Sequence, residues 1–495
     1  MRAYGTLPRQ APLTAGAPAN GKTTLPESSN APPVTPGKPS GTSHNVWRLA
    51  WPTIISNLLF TAVGFAHIKI VAGIGTTEVA AVATGHRVFF LIQAILMGVS
   101  VAATALIARS WGAGQPRHAE SVTWTALFLA LVLAGLLSLP ALFIPETIAA
   151  LFGLDEETTR AAASFIFWLG IFNITSAASM MLSTALRATG NVITPLWFLF
   201  FSSLLNVCFA YLLAFGLGPF PALGVAGVAL GGGAAGLIIS LFFVGMWWRG
   251  KFNLKASKVA SIDWAIARQL TVIGTPAVLE QGLVQLAFLA FFSIVASYGT
   301  NAYAAYGIGV SLISFSIVVG FGFGIAAATL VGQQLGAGRP DLAEAAGWRS
   351  LRLALLAMGS MATLQIYYAR ELAGFMIDDP EVIELTVIFI YLLAASQPMM
   401  ACELTLAGAL RGAGDTRFPL FSTFCGMILG RLLPAWLFLH LGLSVYWIYA
   451  VMLADYSIKA CLLLNRYRSR KWLGTGGQQI SQPVAGTIDS DRKNT

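Results

Sequence analysis

Charge is scarce in this sequence. Of 495 residues only 10% are Asp, Glu, Lys or Arg, while 56% are hydrophobic; an ordinary soluble domain carries about a quarter charged residues. That shortage excludes a soluble globule, and a mean hydropathy of +0.72 points to an all-α polytopic membrane protein. Cysteine is scarcer still. The four present, Cys208, Cys402, Cys425 and Cys461, all lie in apolar segments and none are spaced Cys-x-x-Cys. A disulfide framework and a cysteine metal cluster are therefore unsupported, and the four read as small packing residues. Also missing are a Gly-rich phosphate loop closed by Lys-Ser/Thr, a His-Glu-x-x-His helix and a nucleophile triad, so neither an enzyme nor a cofactor or metal is expected. Residues 1–44 lack an apolar run that could form a signal-peptide core. They read as a disordered tail on the cytoplasmic side, as do residues 473–495.

What is present is a duplication. The stretch Ala185-Leu-Arg-Ala-Thr-Gly-Asn191, closed by Pro195, returns as Ala409-Leu-Arg-Gly-Ala-Gly-Asp415, closed by Pro419, 224 residues later. The same offset pairs Pro52 with Pro276, Gly98 with Gly322, Gly112-Ala-Gly114 with Gly336-Ala-Gly338, and Trp124 with Trp348. An internal repeat of this length means two copies of one structural unit.

Runs of about 20 apolar residues, the length needed to cross a bilayer, predict six spans in each copy. The first lobe covers 45–250, a basic linker 251–263, and the second lobe 264–472. Lys and Arg are retained on the cytoplasmic side of membranes, and here they crowd the even-to-odd loops, as at Arg109, Arg187, Lys251, Arg339 and Arg411. The opposite loops carry acids such as Asp155, Glu157, Asp379 and Glu381 instead. Both termini are thus expected in the cytoplasm. This loop bias also accounts for the formal charge of +9 without a nucleic-acid partner. Six spans per copy, an even number, make the repeats parallel and related by an axis along the membrane normal. Alternating access by rocking two halves uses such a duplication directly, whereas an enzyme or receptor has no need of it.

The motifs Leu49-Ala-Trp-Pro52, Trp111-Gly-Ala-Gly114, Leu335-Gly-Ala-Gly338 and the two Ala-Leu-Arg turns together resemble the multidrug and toxic compound extrusion (MATE) transporters of bacterial type, over about residues 45–472. The resemblance implies twelve helices in two six-helix lobes around a V-shaped cavity. It implies a multi-pass protein of the inner membrane that exports small organic, often cationic, compounds in exchange for cations. No obligate protein partner is evident. A lipid-linked glycan flippase of the same superfamily is the alternative; it predicts a strongly cationic cavity or spans beyond twelve.

An ionisable group within a span costs about 2.5–3.5 kcal/mol to insert and is a functional candidate by default. Glu280 and Glu403 stand well inside the seventh and tenth spans and are the first candidates for cation coupling. In the first lobe, the resemblance implies an aspartate late in span one and an Asn–Asp pair in span five. Here those places hold His67, Asn206 and Ala210. With both carboxylates gone, an oxygen-ligand sodium site in this lobe is disfavoured. Proton coupling is expected, with sodium the alternative; His67 and Asn206 join the coupling candidates, since a histidine titrates near pH 6.5. Arg431 is a candidate charge partner for Glu280 or Glu403, and Asp455 and Lys459, four apart, read as a mutual pair on one helical face. Arg187 and Arg411, at matched corners, read as gate or hinge elements.

Overall fold

Lipid offers no hydrogen bonds, so a chain this apolar must satisfy its backbone within helices. A computed structural model describes residues 42–217, 220–256 and 262–474; among these there are helices and no strands. Residues 1–41 and 475–495 of the expected tails and part of the basic linker lie outside the described residues, while 42–44 begin the first helix and 473–474 are helical. Twelve long helices run α1 Thr42–Ala72, α2 Thr76–Gly112, α3 Pro116–Phe143, α4 Glu156–Ala188, α5 Ile193–Phe215, α6 Gly224–Trp248, α7 Trp264–Ala296, α8 Thr300–Gly336, α9 Pro340–Tyr367, α10 Pro380–Gly412, α11 Arg417–His440 and α12 Val445–Arg468. Eleven are long and apolar enough to cross a membrane by themselves; α9 is the exception. It carries Arg349 and Arg352 and stands opposite α3 in the repeat. At 37 residues each, α2 and α8 are about 55 Å long at 1.5 Å per residue. They therefore extend well beyond a hydrocarbon layer about 30 Å thick.

The duplication seen in sequence governs the geometry. The bounds of α2, α3 and α4 become those of α8, α9 and α10 when 224 is added to each. Short helices Pro145–Ala150 and Ala369–Met376 start at the same offset. Loop chemistry repeats too. Gly114 and Gly338 end the turns after α2 and α8 with φ of 69° and 70°, a region where a side chain is strained. Asp155 and Asp379 cap α4 and α10, each accepting backbone N–H bonds from the helix's first turn. Within each half a phenylalanine, Phe165 or Phe389, packs directly against a glycine, Gly85 or Gly309, and both rings are fully buried.

Small residues also join the halves. Gly98 of α2 meets Gly274 and Val278 of α7, and at the equivalent place Gly322 of α8 meets Ala50 and Ile54 of α1. Gly112 abuts the backbone of Gln333, while Gly336 abuts that of Arg109. Each contact recurs with the partners exchanged, the signature of a two-fold interface. A parallel repeat about an axis along the membrane normal produces that exchange. Bare glycine is needed because α2 and α8 approach through their backbones; a Cβ on Gly112 would sit 2.7 Å from the Gln333 Cα. These crossings lie toward the ends of α2 and α8 that carry the basic loops. Beyond them, Phe65 and its repeat equivalent Leu289, and Leu91 and its equivalent Phe315, are exposed.

Candidate functional site

The second half holds nearly all the charge buried among the helices. Pro276 lies inside α7 one turn before Glu280 and leaves the helix one backbone donor short there. Glu280 is 4% exposed. Its Oε1 accepts from Arg411 Nη2 at 2.6 Å and from the Thr423 hydroxyl at 2.9 Å, so one carboxylate ties α7 to α10 and α11. Its other oxygen has no hydrogen-bond partner among the described residues. Val278, two residues earlier, is the side chain that rests on Gly98 of the other half. The charged clamp is thus adjacent to the seam.

A second chain of charges runs through α10, α11 and α12. Arg431 and Asp455, both fully buried, approach to 2.5 Å. Lys459 Nζ lies 3.0 Å from Asp455 Oδ1 and 3.2 Å from Glu403 Oε1. Glu403 is the most exposed member, its side chain 14% accessible. Three rings, Phe288, Phe291 and Tyr456, take the guanidinium of Arg431 at 5.3–5.7 Å, a cation–π cage that partly replaces lost hydration. The local backbone is unusual: Cys425–Leu432 within α11 is π-helical, a rare geometry that recurs at functional sites. Gly426 and Gly430 of that segment face α12. A Cβ at Gly430 would fall 2.8 Å from the Asp455 Cα, and one at Gly426 2.6 Å from Lys459 Cε. Their lack of side chains admits the ion pairs.

The expectation that Arg431 pairs with Glu280 or Glu403 is corrected here: it pairs with Asp455, because the π segment turns it toward α12. Asp455 and Lys459 are a pair as expected from their spacing, but they also link Arg431 to Glu403. Arg411 and Arg187 part company. Arg411 reaches inward to Glu280, whereas the position matching Glu280 in the first half is Ser56, whose hydroxyl bonds to the Pro52 carbonyl at 2.8 Å. No carboxylate pairs with Arg187 among the described residues. Thr423 was not singled out from the sequence; lying nearly two helical turns inside α11 on the Glu280 side, it has no signal in a single chain. Nor was the buried amide pair Gln365–Gln397, or Asp415 with Arg466 at 2.8 Å, which fastens the second Ala-Leu-Arg turn to the end of α12.

In the first half, His67, Asn206 and His86 come together from α1, α5 and α2. His67 Nε2 is 2.6 Å from Asn206 Oδ1, and His67 Nδ1 is 3.4 Å from His86 Nε2. With this amide orientation Nε2–H donates to Asn206, and Nδ1 accepts from His86. The two imidazoles stack at 5.4 Å, and His86 meets Phe165 edge-on. Ala210 is fully buried one turn beyond Asn206. Among the described residues no acid joins this cluster. Lys69 and Arg87 are exposed nearby in sequence. Among the described residues no group of three or more His, Cys, Asp or Glu could hold a metal ion. Among the Met and aromatic side chains of the spans, Met181, Phe291 and Met400 are buried in the core, and Phe90 is exposed.

Comparison with known proteins adds the following. The MatE family model matches residues 52–212 and 276–437, one match in each repeat. A probable multidrug resistance protein NorM of Thermotoga maritima is 26% identical over 434 residues, covering 86% of this chain and 92% of that protein. An FAD transporter of Shewanella oneidensis is 25% identical over 385 residues, covering 77% and 85%. Among solved structures, a MOP superfamily transporter from Pyrococcus furiosus superposes with a TM-score of 0.81 at 19% identity, covering 87% of this chain and 96% of that one. At that identity the likeness speaks for the twelve-helix, two-lobe fold.

Proposed function

The chain belongs to the MatE family of transporters, and from that premise we propose that it is a secondary antiporter which exports small organic compounds from the cytoplasm in exchange for protons. It works by alternating access in the inner membrane. The observation that carries the reading is the asymmetry of charge laid over a symmetric fold. Two equivalent halves meet through exchanged glycine contacts, as two bodies that rock against each other need to. Among the described residues, Glu280 of the second half is a buried carboxylate next to that seam, and Ser56 stands at the matching place in the first. Protonation of Glu280 removes the charge that holds Arg411 and Thr423, and loosens α7 where it crosses α2. An intramembrane acid with one hydrogen-bonding oxygen unused is suited to taking up a proton. The absence of carboxylates around His67 and Asn206 counts against a sodium site in the first half, because a hard cation needs several oxygen ligands.

The names of relatives bear on cargo. Resemblance to multidrug resistance proteins of the NorM type supports export of organic, often cationic, drug-like compounds. The test is uptake of a fluorescent organic cation into inverted membrane vesicles under an imposed proton gradient. Export that survives collapse of that gradient, or that requires sodium, refutes proton coupling. A second reading has its own observation. Lys69 of α1 and Arg87 of α2 are exposed cations near the histidine pair, with Glu78 the acid on the same helices, and a relative of similar identity is an FAD transporter; the two cations and that relative suit an anionic cargo, and a lipid-linked glycan is the bulkiest of that class. Uptake of an anionic flavin offered outside the same vesicles separates the two.

A further inference from the structure

The ammonium of Lys459 occupies a position that a metal cation would otherwise fill. Its Nζ is 3.0 and 3.4 Å from the two carboxylate oxygens of Asp455 and 3.2 Å from Glu403 Oε1. Three hard carboxylate oxygens converging on one point, in a spot where Lys459 is 1% and Asp455 0% exposed, form the donor set that binds a small hard cation. The groups facing Lys459 from every packed element are Asp455 and Tyr456 on α12, Glu403 on α10 and Arg431 on α11. With all charged groups ionised, Arg431 and Lys459 balance Asp455 and Glu403, and the cluster is neutral. Without the ammonium, one negative charge is left over in a buried site. Two nearby carboxylates cannot both remain ionised there unless a proton or a cation replaces it.

We propose that Lys459 is the specificity-determining residue that makes the second half blind to sodium: a built-in cation occupies the ion site, so that the proton alone is left to change its charge. The proposal rests on the reading of the chain as a proton-coupled exporter, and it predicts a switch. Removing the ammonium while keeping the length of the side chain, as in Lys459→Met, opens a site of net charge minus one for sodium or lithium. Lys459→Arg keeps the cation and the blindness.

The experiment uses full-length protein purified in detergent and radiolabelled sodium at pH 8, where sodium competes best with protons. Wild type and Lys459→Arg are expected to retain none above background. Lys459→Met retains sodium that excess lithium displaces, and Lys459→Met combined with Glu403→Gln loses it. Sodium bound by the wild-type protein and lost in Glu403→Gln overturns the proposal, and that measurement needs no lysine variant to fold. A folded Lys459→Met that binds no sodium, judged by its elution and melting behaviour, overturns it equally. Because binding is read without transport, failure of gradient-driven export in wild-type vesicles would sink the functional reading and leave the sodium result to stand or fall by itself.

Discussion

Replacing Arg431 by methionine isolates the energetics of the buried chain of charges. The substitution keeps the volume of an apolar side chain but deletes the cation that lies 2.5 Å from Asp455. Truncating one partner of a buried ion pair costs about 3–5 kcal/mol, because the other charge is left uncompensated. Lys459 remains 3.0 Å from Asp455, which places the electrostatic loss near the lower end of that range. The guanidinium also leaves three aromatic rings, each contact being worth about 0.5–1 kcal/mol, so a total of about 4.5–6 kcal/mol is expected. At about 2 °C per kcal/mol for a large domain, the melting midpoint should fall by about 9–12 °C. Intrinsic tryptophan fluorescence during a thermal ramp in detergent reads it. The decisive comparison is with Arg431→Met combined with Asp455→Asn, which removes both charges and should recover more than half of the loss. If the double variant is destabilised by the sum of the two single changes, the pair is not coupled and the reasoning fails.

Glu280→Gln should lower proton-driven export by about tenfold or more, equivalent to about 1.4 kcal/mol, with the protein still folded; unchanged initial rates in inverted vesicles would remove Glu280 from the coupling step. Thr423→Val deletes one hydroxyl donor to that carboxylate, a bond to a charged group worth about 1.5–3 kcal/mol. It should reduce thermal stability while leaving export dependent on the proton gradient. Gly336→Val forces a Cβ against the Arg109 carbonyl carbon at 2.8 Å and the Ala113 nitrogen at 3.0 Å, so α2 and α8 separate at their basic ends. A cysteine placed at Ala337 should then react faster with a membrane-impermeant maleimide. His67→Ala strands Asn206 without its 2.6 Å partner at a cost of about 1–3 kcal/mol, whereas His67→Gln should recover part of it in the same melt. The Thr158 backbone N–H and hydroxyl hold the Asp155 carboxyl below its ordinary range. Its capping contribution is therefore complete well above about pH 4 and lost as pH falls through the depressed value; amide-exchange protection at the start of α4, relative to the intrinsic rate, should drop there and should not change with pH in Asp155→Asn.

The candidate site was legible in parts. Glu280 and Glu403 stand out in any reading because acids are rare in apolar spans, and Asp455 with Lys459 because four residues bring two side chains to one helical face. Partner choice between helices was not legible. Arg431 is equally placed, in sequence, to meet Glu280, Glu403 or Asp455, and the selection of Asp455 follows from the π segment at Cys425–Leu432 and the glycines beside it. Arg187 and Arg411 look equivalent as text, and the repeat does make them so in position. They differ because Glu280 in one half corresponds to Ser56 in the other. His67 and Asn206, 139 residues apart, were each noticed for what they replace and meet only once α1 and α5 pack.

By itself the sequence determined the membrane class, the twelve spans, the basic and acidic ends, and the 224-residue repeat that makes every element of one half the twin of an element in the other. Apolar length and charge placement are properties of a single segment, so they can be read one helix at a time. Tertiary structure alone decided which charges neutralise one another, where backbones touch at Gly112 and Gly336, and that Lys459 stands among three carboxylate oxygens. Those outcomes depend on the rotation and depth of two or three helices at once. A span apolar on nearly all sides does not encode its own rotation; its packed neighbours set it.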